Sequence, residues 1–369
     1  AIDVDPDGTY VATASQDGTA RVWDVATGRT IARLAGHVGG VFAIDYSPRS
    51  SGVVTAGADG TARIWDVHSG REFLRVQEPE EGWLYMATYD PQGQRIATAS
   101  EAGVARIWSA ASGQQMVSLK GHEDAVRVVR FSRDGRRVLT ASEDRTARVW
   151  DAVSGRPIAH LKGHQGWVFD ARFSADGQRV VTASRDRTAR IWSAETGRLL
   201  VVLQGHGSYV SQARFSPDGT QVATACGDGV ARLWDAATGE QVAELTGHRQ
   251  PLTQVRYAPD GARLLTASRD HTARIWDARS GRRLAALSGH SDTIFAARFS
   301  PDGTQVFSAS RDQTARIWDA RAGLGLESPH ELHRRACAMV RHQHEWTRVR
   351  AMCALGPITS TEPIATSPP

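Results

Sequence analysis

The sequence predicts an all-β fold in which eight small antiparallel sheets are arranged in a ring. The first observation is a repeat, because eight of the eleven tryptophans recur at intervals of 42 or 43 residues. These are Trp23, Trp65, Trp108, Trp150, Trp192, Trp234, Trp276 and Trp318. A second landmark with the same period is a Gly-His pair, whose histidines are His37, His122, His164, His206, His248 and His290. A fixed period of this size indicates a repeat architecture rather than the two or three domains that 369 residues alone would suggest.

The third observation is that each repeat has the pattern of four short strands. In the repeat at 164–206, the segment 168–174 alternates apolar and polar side chains, as a half-buried strand does. Asp176-Gly177 then supplies a tight turn. Three further strands follow between turns, at 179–183, 188–192 and 198–204. Because one small sheet cannot bury both of its faces alone, we expect the sheets to pack radially on one another.

These landmarks resemble those of the WD40-repeat family of β-propellers, beginning with Gly36-His37 and Trp65-Asp66 and recurring in the later repeats. The resemblance covers roughly residues 1–328 and implies a propeller of four-stranded antiparallel blades. It also implies a hydrogen-bonded network in each blade, formed by a His, a Ser or Thr, an Asp and the Trp. Six sets have this spacing: His37/Thr55/Asp59/Trp65, His122/Thr140/Asp144/Trp150, His164/Thr182/Asp186/Trp192, His206/Thr224/Asp228/Trp234, His248/Thr266/Asp270/Trp276 and His290/Ser308/Asp312/Trp318. The hydroxyl two residues before the Asp, such as Ser184, lies on the same strand face, so which hydroxyl bonds stays open.

Ser or Thr, His and Asp are also the components of a hydrolase triad, but six identical active sites are not typical of an enzyme. No segment suggests the oxyanion hole that a nucleophile needs, and no motif for phosphate binding or metal hydrolysis is present. The three cysteines, Cys226, Cys337 and Cys353, are not spaced as zinc ligands. We therefore predict a protein that is not an enzyme and that has no cofactor or metal.

The third repeat departs from the pattern. Glu78-Pro79-Glu80-Glu81 stands where Gly-His belongs, and Ala102 stands where the Asp belongs. We expect this blade to have lost its network, and to be either the weakest blade or one remodelled for contact. The first repeat begins inside its first strand without a Met, which favours a fragment of a longer protein over a processed start.

The closure of the ring has two solutions. A strand at 29–34 could complete the last blade, which would give seven blades and leave 1–26 as the remnant of a preceding propeller. Alternatively all eight repeats form one ring, with a poor final strand at 324–327. We favour eight blades, because otherwise three apolar strands are left with open edges.

The pattern changes after residue 328. Ser328, Pro329 and Glu331 have the spacing of a helix start, and apolar residues continue at helical intervals to about residue 354. We therefore predict a propeller at 1–328, a helical segment at 329–355 that packs on the propeller rim or docks to a partner, and a disordered tail at 356–369. The tail also resembles the terminal segment of large bacterial proteins whose WD repeats follow an NTPase or kinase module.

Repeat proteins usually bind partners where their repeats differ. Two positions at the start of the innermost strand and one in the second turn vary here, and in the WD40 family these face the top of the ring around the central channel. The partner-binding residues predicted at these positions are Trp83, Tyr85, Arg127, Trp167, Phe169, Tyr209, Arg185, Arg269 and Arg311. Aromatic residues and Arg are enriched at interface hot spots, so this set predicts an extended peptide with apolar and acidic side chains as the partner. The alternative is that the aromatic residues only fill the interfaces between blades.

Composition argues against several other partners. No apolar run approaches the ~20 residues of a membrane span. The 44 basic and 40 acidic residues give a net charge of only +4, and the strand arginines are spread evenly around the ring, which does not favour nucleic acid. Only two of the basic residues are Lys, which is typical of a GC-rich bacterial genome, and unclustered cysteines fit a reducing cytoplasm.

The sequence therefore predicts a non-catalytic scaffold or sensor module that binds proteins or peptides on the top face. Two alternative functions remain. One is a propeller that binds nucleic acid, and the other is the regulatory part of a larger NTPase or kinase whose effector domain is missing.

Overall fold

The computed structural model describes residues 1–49 and 52–320, which form 31 strands in eight antiparallel sheets. Each sheet is one blade, numbered here in chain order. The first four blades contain β1 (Ile2–Val4), β2 (Tyr10–Ala14), β3 (Thr19–Asp24), β4 (Thr30–Ala35), β5 (Val41–Tyr46), β6 (Gly52–Gly57), β7 (Thr61–Asp66), β8 (Glu72–Gln77), β9 (Leu84–Tyr89), β10 (Arg95–Ser100), β11 (Ala105–Ser109), β12 (Gln115–Leu119), β13 (Val126–Phe131), β14 (Arg137–Ser142), β15 (Thr146–Asp151) and β16 (Pro157–Lys162). The last four contain β17 (Val168–Phe173), β18 (Arg179–Ser184), β19 (Ala189–Ser193), β20 (Leu199–Leu203), β21 (Val210–Phe215), β22 (Gln221–Cys226), β23 (Ala231–Asp235), β24 (Gln241–Leu245), β25 (Leu252–Tyr257), β26 (Arg263–Ser268), β27 (Thr272–Asp277), β28 (Arg283–Ser288), β29 (Ile294–Phe299), β30 (Gln305–Ser310) and β31 (Ala315–Asp319).

The prediction of an all-β propeller with four-stranded antiparallel blades is confirmed. Within residues 1–320 the first seven blades have four strands each and the eighth has three. The predicted final strand at 324–327, the helical segment at 329–355 and the tail at 356–369 lie outside the described residues.

Each blade runs back and forth, so every strand pairs with its neighbours in sequence. The first strands of adjacent blades, such as β13, β17 and β21, pack on one another and are therefore the innermost strands around a central channel. Antiparallel order places the segment entering a blade and the turn between its second and third strands at one end of the channel. We call this end the upper face. The first and third turns of each blade lie at the opposite end, the lower face.

The apolar core lies between the blades. Trp192 on β19 is buried in one cluster with Leu139, Val149 and Leu161 of the preceding blade. Seven of the eight periodic tryptophans are buried in this way, whereas Trp23 of the first blade is half-buried. Burying one large apolar side chain stabilises a fold by about 3 kcal/mol. Because these tryptophans lie at the interfaces between blades, the 42-residue period of the sequence is also the period of those interfaces.

The ring closes between the first and eighth blades. Strand β1 packs against β29 and β30, and Ile2, Val11 and Phe307 are buried together there. Asp3 forms an ion pair with Arg298, which lies 295 positions away in the chain. All eight repeats therefore belong to one ring, and the alternative of seven blades plus a remnant is wrong.

A repeated arginine contact ties neighbouring blades together at the lower face. Arg137 donates from Nη2 to the carbonyl oxygen of Gly177 at 2.7 Å, and its Cζ lies 5.3 Å from the ring centre of Phe173. Arg179 makes the same contacts one blade further on, with Gly219 at 2.7 Å. Arg95 and Arg263 also donate to the next blade. One structural contact at the lower face thus recurs at four of the interfaces between blades.

Candidate functional site

A hydrogen-bonded network joins the upper face of a blade to its core. In the fifth blade, His164 Nε2 lies 2.7 Å from Thr182 Oγ1, and His164 Nδ1 lies 2.7 Å from Asp186. Trp192 Nε1 donates to the same Thr182 hydroxyl at 2.8 Å. Ser184, the alternative hydroxyl, donates instead to the carbonyl oxygen of Gly166. The strand hydroxyl four residues before the Asp is therefore the centre of the network.

Four other blades contain the same network. In each, the histidine Nε2 lies 2.7 or 2.8 Å from the strand hydroxyl, and Nδ1 lies 2.7 to 2.9 Å from the aspartate. The tryptophan Nε1 donates to that hydroxyl at 2.8 Å in all four. The four sets are His37 with Thr55, Asp59 and Trp65; His122 with Thr140, Asp144 and Trp150; His248 with Thr266, Asp270 and Trp276; and His290 with Ser308, Asp312 and Trp318.

The hydroxyl residues of the six predicted sets lie inside the blades and not at the surface. All six are 0% exposed, namely Thr55, Thr140, Thr182, Thr224, Thr266 and Ser308. A ligand in solvent therefore has no access to these hydroxyls, and each of them is occupied by the His and Trp of its own blade. The contacts of these hydroxyl groups are therefore internal to the blade.

The sixth blade differs from this arrangement. His206 Nε2 bonds Thr224 at 2.9 Å, but no hydrogen bond joins His206 Nδ1 to Asp228. Asp228 instead accepts from the Gly207 N–H and from Arg232, at 3.0 and 2.9 Å. The five complete networks have a Thr two residues after the Asp, and its hydroxyl contacts both the Asp and the His. Val230 occupies this position in the sixth blade and has no hydroxyl, so the expected set is incomplete there.

The third blade has replaced its network rather than lost it. Glu78, which is 3% exposed, accepts from Thr98 Oγ1 at 2.7 Å and pairs with Arg106. Trp108 Nε1 donates to the same Thr98 hydroxyl at 2.9 Å. A buried carboxylate therefore serves where the other blades use His and Asp, and the expectation that this blade has no network is wrong. The physical reason is that the Glu78 carboxylate both accepts from Thr98 and, together with Glu80, balances the buried charge of Arg106.

The buried histidines predict a fall in stability on mild acidification. Burial, and then the charge of Arg232, lowers the pKa of His206 to about 4, and burial also lowers the pKa of His37, His164, His248 and His290. An unfolded chain binds protons at these histidines below pH ~6.5, whereas the folded chain does not. We therefore expect the free energy of unfolding to decrease as the pH falls from about 6.5 to about 4, because five histidines act in this direction and the buried Asp45, whose pKa is raised, opposes them. Urea midpoints measured across this range test the expectation, and a constant midpoint contradicts it.

The contribution of one histidine can be isolated by substitution. His206→Gln should flatten the pH dependence by up to about 3 kcal/mol, because it removes a group whose folded and unfolded pKa values differ. His68→Gln, at an exposed histidine outside the networks, is the matched control substitution.

An aromatic cluster lies on the upper face between the second and third blades. The rings of Phe42 and Trp83 have centroids 5.5 Å apart, and Trp83 meets Tyr85 edge-on at 6.1 Å. Trp83 is 47% exposed. Glu101 contacts both residues, because it accepts from the backbone N–H of Trp83 at 3.1 Å and from the Tyr85 hydroxyl at 3.3 Å. An exposed tryptophan with these contacts is suited to binding rather than to core packing.

A second aromatic group lies in the fifth and sixth blades. Phe169 meets Trp167 and Tyr209 edge-on, with ring centroids 6.4 and 5.9 Å away. Gly227 makes room for Tyr209, since a Cβ at this position would lie 2.6 Å from the tyrosine ring. These contacts across blades show that the aromatic residues also contribute to the interfaces between blades.

The two groups border a depression at the upper mouth of the channel. Its volume is about 500 Å³, and its lining residues are Phe42, Trp83, Tyr85, Arg127 and Phe169. A second depression of about 330 Å³ lies beside Trp167, and its lining residues are Arg145, Gln165, Gly166, Trp167, Arg185 and Asp186. The structure thus brings most of the predicted aromatic residues together on one sector of the upper face.

The predicted arginines differ in their exposure and in whether a carboxylate compensates their charge. Arg127 pairs with Glu143, and its Cζ lies 3.9 Å from the ring centre of Tyr85, so its charge is already compensated. The Cζ of Arg185 lies 4.8 Å from the ring centre of Trp167. Arg269 is exposed, and Arg311 is 69% exposed with its Nε 4.0 Å from Asp292. Arg185, Arg269 and Arg311 lie in blades five, seven and eight and form a basic sector beside the aromatic one.

The sequence interpretation missed a set of residues in the second turn of four blades. Arg145, Arg187, His271 and Gln313 adopt positive φ angles of 68 to 71°. Four other blades have a glycine at this position, namely Gly18, Gly60, Gly103 and Gly229. A side chain in this conformation costs about 1 kcal/mol, and such strain is typical of functional surfaces. The available signal in the sequence was the replacement of Gly in Asp-Gly-Thr by Arg in two blades, by His in one and by Gln in one, and Arg145 does line the second depression.

Comparison with known proteins agrees with the repeat pattern. The sequence profile described as "WD domain, G-beta repeat" matches residues 1–24, 28–66, 113–151, 155–193, 197–235, 239–277 and 281–319. The first three strands of the third blade, β9 to β11, lie outside these ranges. No curated protein matches the chain. The crystal structure of the computationally designed Ika8 protein is similar, with 26% sequence identity and a TM-score of 0.76 over 84% of this chain and 93% of that one.

The described part of the chain has no helix long and apolar enough to cross a membrane.

Proposed function

This chain belongs to the WD40 family of β-propellers, and on that premise we propose that it is a non-catalytic module binding an extended peptide segment of a partner protein. WD40 propellers are commonly scaffolds for protein interaction. The proposed site is the upper face from the second to the eighth blade. The observation that carries the proposal is the exposed aromatic cluster of Phe42, Trp83 and Tyr85 beside the depression of about 500 Å³.

The aromatic cluster supports the apolar half of the proposed recognition. Trp83 exposes nearly half of its surface although Phe42 and Tyr85 lie beside it. An aromatic residue held rigidly at a surface loses little conformational entropy on binding and offers a large contact area. We therefore assign the apolar side chains of the peptide to this cluster and to Trp167 and Phe169.

The basic sector supports the acidic half. Arg269 and Arg311 have exposed guanidinium groups, and Arg185 extends over Trp167. Charges at the rim of an interface mainly select the partner and speed its association. An acidic residue on the peptide would meet these arginines while its apolar neighbours contact the aromatic cluster.

The contacts of the histidines support a non-catalytic role. His164 is 4% exposed, and both of its ring nitrogens are engaged, by Asp186 and Thr182. The same arrangement recurs in four other blades, and Thr182 also accepts from Trp192. A fully buried hydroxyl that accepts hydrogen bonds inside a blade is not placed to attack a substrate.

The strand arginines favour a protein partner over nucleic acid. Arg63, Arg106 and Arg232 are buried, and each is paired with carboxylates of its own blade. They are therefore not available to phosphate groups. The affinity for nucleic acid would fall steeply with added salt. Peptide binding through the aromatic cluster should persist at 0.5 M salt, which is about ten times the salt concentration of a low-salt buffer.

We place this module in the cytoplasm of a bacterium, as the scaffold or sensor part of a larger assembly. Two lysines among 44 basic residues are typical of a GC-rich bacterial genome. The buried thiol of Cys226 is free, which fits a reducing compartment.

Selection from a library of random displayed peptides, with the full chain as bait, tests the proposed recognition. We expect the enriched peptides to combine apolar residues with Asp or Glu, and Arg269→Glu to remove the acidic preference because it reverses the charge that selects it. Arg198→Glu, at an exposed arginine beside the outermost strand of the fifth blade, is the matched control and should leave the acidic preference of the enriched peptides unchanged. Enrichment of basic peptides, or no enriched class, contradicts the proposal.

A further inference from the structure

Five arginines occupy one layer of the central channel. They stand at equivalent register positions of β13, β17, β21, β25 and β29, the first strands of five consecutive blades. We call them the arginine ring: Arg130, Arg172, Arg214, Arg256 and Arg298. The other three blades have Asp3, Asp45 and Thr88 at this position. Positive charge is therefore gathered on one side of the channel, in blades four to eight.

One carboxylate is shared by three members of the ring. Asp170 pairs with Arg214, and its Oδ1 lies 3.9 Å from Arg130 and 3.7 Å from Arg172. One negative charge cannot balance three guanidinium groups, so most of the positive charge in this part of the channel is uncompensated.

The remaining acidic groups do not supply the missing charge. Asp3 pairs with Arg298. Asp45 accepts from the Thr88 hydroxyl at 3.0 Å and from the Tyr89 N–H at 2.9 Å, and it makes no ion pair with an arginine of the described chain. Burial, and then the nearby Asp3, raises the pKa of Asp45, which favours its neutral form.

Arg256 is the member with no acidic partner among the residues that the structure describes. Its neighbours on either side are Arg214 and Arg298, and its buried Nε–H has no hydrogen-bond acceptor. Burial, and then the charges of Arg298 and Arg214, hold its pKa well below the usual value for arginine. Burial and the neighbouring arginines also lower the pKa of Arg172. Because a guanidinium group stays protonated in proteins, an anion bound between these arginines would relieve the repulsion.

We propose that the central channel binds a small oxyanion of the phosphate class at the arginine ring. Guanidinium groups bind such oxyanions through paired N–H donors, and several of them here surround one axis. Solvent reaches the ring, since Arg130 and Arg172 each expose 22% of their side chains and Arg298 exposes 27%. The site lies below the aromatic cluster and does not depend on the peptide function proposed above.

Calorimetric titration of the full chain with inorganic pyrophosphate, at constant ionic strength, tests this proposal. We expect saturable binding by the unmodified protein and a loss of about tenfold or more in affinity for Arg256→Gln, because a charge-assisted contact is removed. Arg198→Gln, at the outer rim, is the matched control and should bind as the unmodified protein does. Trp83→Ala should also leave pyrophosphate binding unchanged, because the aromatic cluster is a separate site.

Thermal melting gives a second measurement that stays informative for any variant. In low-salt buffer without phosphate we expect Arg256→Gln to melt no lower than the unmodified protein, because it relieves repulsion between neighbouring arginines. Pyrophosphate should raise the melting temperature of the unmodified protein and leave that of Arg256→Gln unchanged. An equal rise with sodium chloride of the same ionic strength, or equal pyrophosphate affinity for Arg256→Gln and Arg172→Gln as for the unmodified protein, overturns the proposal.

Discussion

Replacing Glu78 with Ala should lower the free energy of unfolding by about 3 kcal/mol, because it leaves a buried arginine with one partner fewer. Glu78 is the buried carboxylate that pairs with Arg106 and accepts from Thr98. Glu80 still pairs with Arg106 after the change, but it is 41% exposed and is a weaker partner, so we expect the lower end of the usual range. Chemical denaturation measures the difference.

Two further variants make this prediction specific. Glu81→Ala, at the exposed residue three positions later, should change the free energy of unfolding by no more than about 0.5 kcal/mol. Asp186→Ala breaks the corresponding network of the fifth blade and should cost about 1–3 kcal/mol, since it leaves His164 and neighbouring donors without an acceptor. If Glu78→Ala melts like Glu81→Ala, the third blade is held together by something other than this carboxylate.

The double variant Trp83→Ala/Trp167→Ala should weaken peptide binding at least 100-fold, since each tryptophan is expected to act as a hot spot worth about 2 kcal/mol. Both side chains lie at the surface, and their contacts are with exposed or half-buried neighbours rather than with the core. The melting temperature should therefore fall by no more than about 4 °C. A large fall in melting temperature would show that these two tryptophans stabilise the interfaces between blades instead.

The third blade connects the two predictions. It is the blade that departs from the repeat, and it contributes Trp83, Tyr85 and Glu101 to the upper face. Glu101 contacts both aromatic residues, while Glu78 maintains the core behind them. The two expectations for this blade, that it is the weakest one or that it is remodelled for contact, are tested by Glu78→Ala and by the tryptophan double variant respectively.

The repeat period made the blades predictable from sequence, because seven of the eight periodic tryptophans are buried at an interface with the preceding blade. The closure of the ring was not predictable in this way. It depends on Asp3 meeting Arg298 and on Ile2 packing against Phe307, and contacts between the two ends of a chain leave no local pattern. The sequence therefore supported both solutions, and only the assembled ring selects eight blades.

The networks show where pattern matching succeeds and where it fails. Spacing alone placed His164, Thr182 and Asp186 together, because all three lie at fixed strand positions. It did not indicate that Val230 would leave the sixth set incomplete, since the hydroxyl that matters there is outside the expected motif. It also gave no sign that Glu78 could take over, because the role of a carboxylate depends on the arginine it faces.

The arginine ring was present in the sequence as a repeat of 42 residues, from Arg130 to Arg298. A single strand position carries no indication of function. Only the radial arrangement brings five such positions to one axis, where their charges add. For the same reason, the sequence predicted the individual aromatic residues of the upper face. It did not predict that residues of different blades would form one cluster beside one depression.

The most direct test of the proposed function compares three proteins on one selected peptide that combines apolar and acidic residues. They are the unmodified chain, Trp83→Ala/Trp167→Ala, and Phe73→Ala at an aromatic residue that is 58% exposed on the outermost strand of the second blade. Fluorescence anisotropy should show full affinity for the unmodified chain and for Phe73→Ala, and a loss of at least about 100-fold for the double variant. Equal affinities for all three, with the double variant still folded, would contradict peptide binding at the upper face.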